Sequence, residues 1–248
     1  MFWNKEKIKF YSLIPGLEKM MPIIKAKDYK HPWTLKAQQE LASMRLKPEW
    51  NMQSLRHTAK CPGIFSVQRH GWIQRAWQDF TIETFPNSDE FVWSSPLDQK
   101  QLSIVAGEYI SGHARNQLAD YMQNWRPDTL KTLIKIQSPW RCKIPKGYYL
   151  LDMSVPYADE RRFSVAPGFS TDDLGYASLN IQLLWHAPKG KTLIKAGTPL
   201  VQYILVPKKM IDMELGVISE NEAKIYDIIL NSKFVRNYGF VKDIIKKF

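Results

Sequence analysis

The sequence predicts a mainly β protein of the α+β class: a β-sandwich or jelly-roll-like core with an N-terminal arm and helix and with C-terminal helices. Two observations carry this expectation. Residues 139–207 contain five short runs, KGYYLLDMSVP, RRFSVAP, YASLNIQLLW, KTLIKAG and PLVQYILVP, filled with β-branched and aromatic residues and separated by Pro, Gly and Asp, which is the composition of pleated, packed strands. An internal echo of the form I-x-x-G-x-x-[IL] also recurs at Ile104–Ile110, Ile144–Leu150 and Ile194–Leu200. Each copy reads as a strand end, a glycine-permitted turn and a new inward-pointing strand, as in repeated β-corners. Two copies run on to Val155-Pro156 and Val206-Pro207, where proline ends a ladder because it has no N–H to donate.

The expected core spans 61–207. GIFSVQR, DFTIETF, EFVWSS and TLIKIQS read as further strands between turn signals, and RNQLADYMQNW as a helix or helical turn. Residues 1–60 read as a basic arm leaning on that core. IKFYSLIPG is its β-like opening, and WTLKAQQELASMR is a helix stopped by Pro48. Residues 208–248 read as a helical tail. Ser219 is its N-cap with Glu222 three positions on, and FVKDIIKKF is a second short helix. One domain overall is expected.

The chain has 248 residues and a formal net charge of +11, and residues 1–60 alone hold 12 Lys/Arg against 5 Asp/Glu. Such an excess can attract nucleic acid, an anionic membrane or an acidic protein, or can serve only as solubilising charge; lysine, which predominates there, makes point-charge rather than forked contacts, which favours non-specific attraction over sequence-specific binding. The two cysteines, Cys61 and Cys142, form neither a disulfide framework nor a metal cluster by spacing. MFWNKEKIK lacks the continuous apolar stretch of a secretory leader, and no run approaches a membrane span. A cytoplasmic location is expected, that of the host if the chain is phage-encoded.

No phosphate-cradling glycine loop, H-E-x-x-H, C-x-x-C or G-x-S-x-G is present, and the five histidines are well separated. No cofactor is expected, save Mg²⁺ if the chain hydrolyses nucleotides. Two polar groupings remain. Tyr157-Ala-Asp-Glu-Arg161-Arg162 offers two guanidiniums suited to anion oxygens beside two acids that can pair with them. Pro167–Tyr176 is a Gly-bounded loop in which Asp172 and Asp173 are adjacent carboxylates able to position water or a sugar hydroxyl.

Pro167–Pro207 resembles the closing strands of deoxyuridine triphosphatases and deoxycytidine triphosphate deaminases. The residues that carry this are Gly168-Phe169, Leu179-Asn-Ile181 and Ile194-x-x-Gly197-x-x-Leu200-Val-Gln202-Tyr203. The resemblance implies Asp172 or Asp173 as the residue positioning water or deoxyribose, with Tyr176 stacking on the sugar. The family's Asp falls where this chain has Thr171, and its G-R-S-S-type phosphate loop and glycine-rich C-terminal arm are absent. A second resemblance covers more of the chain: Ser138-Pro-Trp140-Arg141, Pro145-Lys-Gly147-Tyr148, Val155-Pro156, Gly168-Phe169 and Gln202 match the layout of a family of unknown function found in bacteria and tailed phages.

Three functions are therefore expected. The preferred one is a phage-type binding module without catalytic activity that engages a protein or nucleotide ligand through exposed Trp and Lys. The second is a nucleotide-binding or nucleotide-hydrolysing relative of the triphosphatase fold. It needs Arg141, or Arg161 and Arg162, facing the 168–176 loop at the interface of a homo-oligomer, a trimer; Trp140 is a further candidate ligand-binding residue. The third is a structural particle component.

Overall fold

The computed structural model describes residues 7–45, 57–97, 108–172, 175–187 and 189–232. The chain is mainly β, and its strands form three antiparallel sheets. The first sheet has the order β1 (Lys9–Ser12), β7 (Leu133–Lys143), β11 (Ala177–Trp185), β9 (Phe163–Val165). β6 (Ile110–His113) shares the outer edge of β7 with β1, further towards the β7 N-terminus. The second sheet runs β10 (Gly168–Ser170), β8 (Tyr148–Met153), β13 (Pro199–Pro207), β3 (Trp72–Arg75), β2 (Ile24–Lys25). The third runs β12 (Gly190–Ile194), β4 (Phe80–Thr84), β5 (Phe91–Ser94).

These sheets enclose a large apolar core, with a smaller cluster of Ala26, Ile73 and Val155 beside it, and the large one follows from strict alternation. In β11, Ala177, Leu179, Ile181, Leu183 and Trp185 are all buried, with more exposed residues between them, because successive side chains leave opposite faces of a strand. Ile82, Ile134, Ile136, Leu150, Ile194 and Val201 close the same cluster. Each such side chain gains about 1.5–3 kcal/mol on full burial. Trp185 stacks on Phe163 at 6.2 Å between ring centroids.

The second and third echoes behave as expected. Ile144 and Ile194 are buried at strand ends, Gly147 and Gly197 take the left-handed conformation, and β8 and β13 begin immediately after. The first echo lies partly outside the described residues, as do Pro48, Asp173 and the expected 240–248 helix.

Two compact units are distinguished, residues 1–31 with 65–209 and residues 32–64 with 210–248. The residues expected as a single arm, 1–60, are divided between them, since β1 and β2 are rungs of the first and second sheets. The second unit holds α2 (Pro32–Arg45), which follows the one-turn helix α1 (Leu17–Met20) of the first unit, and the C-terminal helix Glu220–Ser232. That helix opens on a reciprocal capping box: the Glu222 N–H donates to Ser219 Oγ, and the Ser219 N–H donates to the Glu222 carboxylate.

One strand expectation is corrected. Pro62–Arg69, read as the strand GIFSVQR, is helix α3. Proline at its first position suits a helix start. Its last carbonyls are satisfied from afar: Gln202 Nε2, buried on β13, donates to both Val67 O and His70 O at 2.7 Å, filling acceptors that a helix end leaves open.

Candidate functional site

A proline interrupts β7, the longest strand among the described residues, and what it does to the ladder places the site. Pro139 has no N–H, and around it three residues, Ser138 to Trp140, face the single Leu179 of β11: Arg141 pairs with Ser178 and Gln137 with Asn180. This is a bulge, a device that turns a strand and re-aims the next side chain. Beneath it lies a buried polar network, in which Ser138 Oγ donates to Gln74 Oε1 at 3.0 Å and the Tyr203 hydroxyl to the same oxygen at 2.9 Å. Above it, Arg141 Nη1 donates to Ser138 O and Trp140 O at 3.2 and 3.1 Å. The carbonyls turned out by the bulge thus hold the guanidinium on the outward face. Partial burial lowers the Arg141 pKa, but a guanidinium remains charged at physiological pH.

Arg141 sits in the middle of a cross-strand row, paired with Tyr11 on β1 and Ser178 on β11. The next outward row holds Lys9 opposite Lys143, both exposed. Tyr176, just before β11, is 57% exposed and sets its ring edge-on against Tyr11, which is 40% exposed, at 5.5 Å. The result is a patch of two tyrosine rings and three cations on one antiparallel face. Asp172 anchors its rim: Oδ2 accepts the Ile144 N–H at 2.9 Å, and its carbonyl accepts the Gly175 N–H at 2.7 Å. Those bonds hold the loop that carries Tyr176 against the end of β7. Asp172→Ala is expected to cost about 1 kcal/mol and to speed hydrogen exchange at the Ile144 amide, as read by exchange mass spectrometry. Unchanged Ile144 protection would show that the carboxylate does not tie the loop.

The other sequence-predicted residues are placed elsewhere. Trp140 is 4% exposed, with its ring in the core. Arg161, 86% exposed, pairs with Asp159 at 3.2 Å. Arg162 is chelated by Glu160 at 2.6 and 2.8 Å and donates to Leu193 O at 2.7 Å. The Arg162 guanidinium holds the Glu160 carboxyl below its usual range against the opposing effect of burial. These arginines are neutralised by their own loop. Among the described residues no group of three His, Cys, Asp or Glu could hold a metal ion, and no helix is long and apolar enough to cross a membrane. No described tryptophan is exposed; the exposed rings are tyrosines and phenylalanines.

No protein-family model matches the chain, and no curated protein matches it. Of the residues on this face, the sequence singles out Arg141 and Tyr176 but not Tyr11, Lys9 or Lys143. The signal for Lys9 and Tyr11 was the alternation of KFYS, and that for Lys143 its outward parity with Arg141 at the end of β7.

Proposed function

We propose that the chain is a binding module that holds nucleotide units, free or within a single strand, on the outward face of its first sheet. The observation that carries this is the juxtaposition of Tyr11 and Tyr176 with Arg141, Lys9 and Lys143. Flat rings offer stacking platforms that every base can use, and flanking cations track the phosphates. A phosphate partner also accounts for the excess of positive charge in the first 60 residues. The resemblance to deoxyuridine triphosphatases points to the same ligand chemistry; of the residues it implies, Tyr176 lies on this face and Asp172 ties the loop that carries it.

Fluorescence anisotropy with a labelled oligothymidylate tests the proposal, with unlabelled thymidine mononucleotides as competitors to separate the free from the strand-borne ligand. Tyr11→Ala and Tyr176→Ala are each expected to weaken binding about ten-fold or more, since a stacked base contributes about 1–3 kcal/mol. Arg141→Met is expected to lower the salt slope by about one. Absence of binding at about 50 mM salt, or affinity indifferent to both tyrosines, would overturn it.

A further inference from the structure

The first sheet differs from the rest of the molecule in its charge. Its five strands contain no acidic residue, although the chain has 24 Asp and Glu. Elsewhere Arg115, Arg126, Arg161 and Arg162 are each paired with a carboxylate. Lys9, Lys135, Arg141 and Lys143 are paired with none among the described residues. This face therefore keeps its positive charge for a partner.

The ladder sets these groups in line. Alternation turns Ile134, Ile136 and Cys142 of β7 into the core and Lys135, Gln137, Arg141 and Lys143 outward. Along a strand, one outward side chain follows the next at about 7 Å, a step comparable with that between successive phosphates of an unstacked strand. On β11, Asn180 stands opposite Gln137, and Gln182 opposite Lys135. The patch of Tyr11, Tyr176 and Arg141 is thus one end of a longer row that runs down β7 to Lys135.

The two amides on β11 bear on what kind of ligand fits the row. Asn180 Oδ1 and Gln182 Oε1 are enclosed and have no hydrogen-bond partner, which is rare for buried polar atoms. An acceptor so placed calls for an N–H donor. The pairing edge of every base carries one, on the exocyclic amine of adenine and cytosine or on a ring nitrogen of guanine and thymine. In a duplex that donor is held by the opposite strand, whereas an unpaired strand offers its base edges to side chains.

We infer that the ligand of this face is a nucleic-acid single strand lying along β7, about four or more nucleotides long, rather than a free nucleotide or a duplex. This rests on the binding function proposed above and names its ligand class. One base stacks at Tyr11 and Tyr176, and the phosphates follow Lys143, Arg141 and Lys135. The bases beyond the stacked one donate to Asn180 and Gln182, which makes these two amides the residues that select an unpaired strand.

Anisotropy titrations with oligothymidylates from about two to about eight nucleotides long, and with the longest strand closed into a hairpin duplex, test this. Affinity is expected to rise at least about ten-fold from the shortest strand to the longest, and the hairpin to bind at least about ten-fold more weakly than the longest strand. Lys135→Gln is expected to lower the salt slope of the longest strand by roughly 0.7–1 and to leave the dinucleotide unaffected. Asn180→Leu is expected to weaken the single strand about two- to ten-fold without changing the hairpin. Equal affinity for the dinucleotide and the longest strand, a hairpin bound as tightly as the single strand, or a Lys135→Gln chain that matches the wild type on the longest strand would each overturn the inference and leave the stacking site standing. Failure of every length to bind would overturn both.

Discussion

Asp152→Asn is expected to raise the melting temperature at pH 8 and to lower it at pH 4. Asp152 lies at an inward position of β8, between Gly168 of β10 and Tyr203 of β13 in register, and is 8% exposed. Its Oδ2 accepts a single hydrogen bond, from Ser170 Oγ at 3.3 Å, and its Oδ1 has no partner. Burial pushes this carboxyl up to about 7, with the Ser170 bond only partly opposing the rise. The same carboxylate, behind burial itself, helps to drive the Cys142 thiol up to about 12.

The sign follows from proton linkage. A carboxyl whose pKa is higher in the folded than in the unfolded chain binds its proton more tightly when folded. Its contribution is fully present below the unfolded value near 4 and is lost as pH rises through about 7. At pH 8 an ionised Asp152 therefore costs on the order of 4 kcal/mol relative to its neutral form. Asparagine removes that cost and keeps an acceptor for Ser170, while its buried amide group gives back about 1–3 kcal/mol. Thermal melts of both chains from pH 4 to 8 test this. Parallel melting curves across the range would show that Asp152 does not ionise in the folded chain or is not destabilising there.

Gly71→Ala is expected to abolish stable folding of the first unit. Gly71 joins α3 to β3 at φ +77°, and an added Cβ would lie 1.9 Å from the backbone oxygen of Tyr203 and 3.0 Å from its carbonyl carbon. No rotamer relieves a clash with backbone, so β13 must move away from β3 and break the pairing of Tyr203 with Trp72. A cost above about 4 kcal/mol is expected. Gly147→Ala serves as the control: its φ is +84° and nothing lies within 4 Å of the added carbon, so it is expected to lose only the left-handed penalty of about 1–2 kcal/mol. Circular dichroism melts separate the two. Equal melting temperatures for the two variants would mean that the close approach at Gly71 is not obligatory.

The β core was legible wherever burial is decided by alternation within one strand. β11 is the clearest example, with an apolar residue at every second position from Ala177 to Trp185. The glycine corners at Gly147 and Gly197 were legible too, because a left-handed turn leaves a local mark. Helix α3 was not, because what completes it is the side chain of Gln202 on β13, more than 130 residues away.

The site was half legible for the same reason. Arg141 was visible as a guanidinium after a Ser-Pro-Trp sequence, but the bulge that turns Trp140 inward and Arg141 outward depends on Leu179 of another strand. Tyr11 and Tyr176 meet only because β1 and β11 flank the two edges of β7. Asp172 reads as a reactive carboxylate, whereas in the structure it accepts a backbone N–H. Asp152 carried a usable signal that went unread: in YYLLDM it shares the parity of buried Leu150, which marks an inward carboxylate.

The account stands on the outward face of the first sheet as the place where a base stacks. Photo-crosslinking with a 5-bromouracil oligonucleotide, followed by peptide mapping, reads this directly because the adduct forms on the ring in contact with the base. Adducts at Tyr11 and Tyr176, suppressed by high salt, are the predicted result. Adducts confined to peptides outside residues 9–12, 140–143 and 175–178 would contradict it.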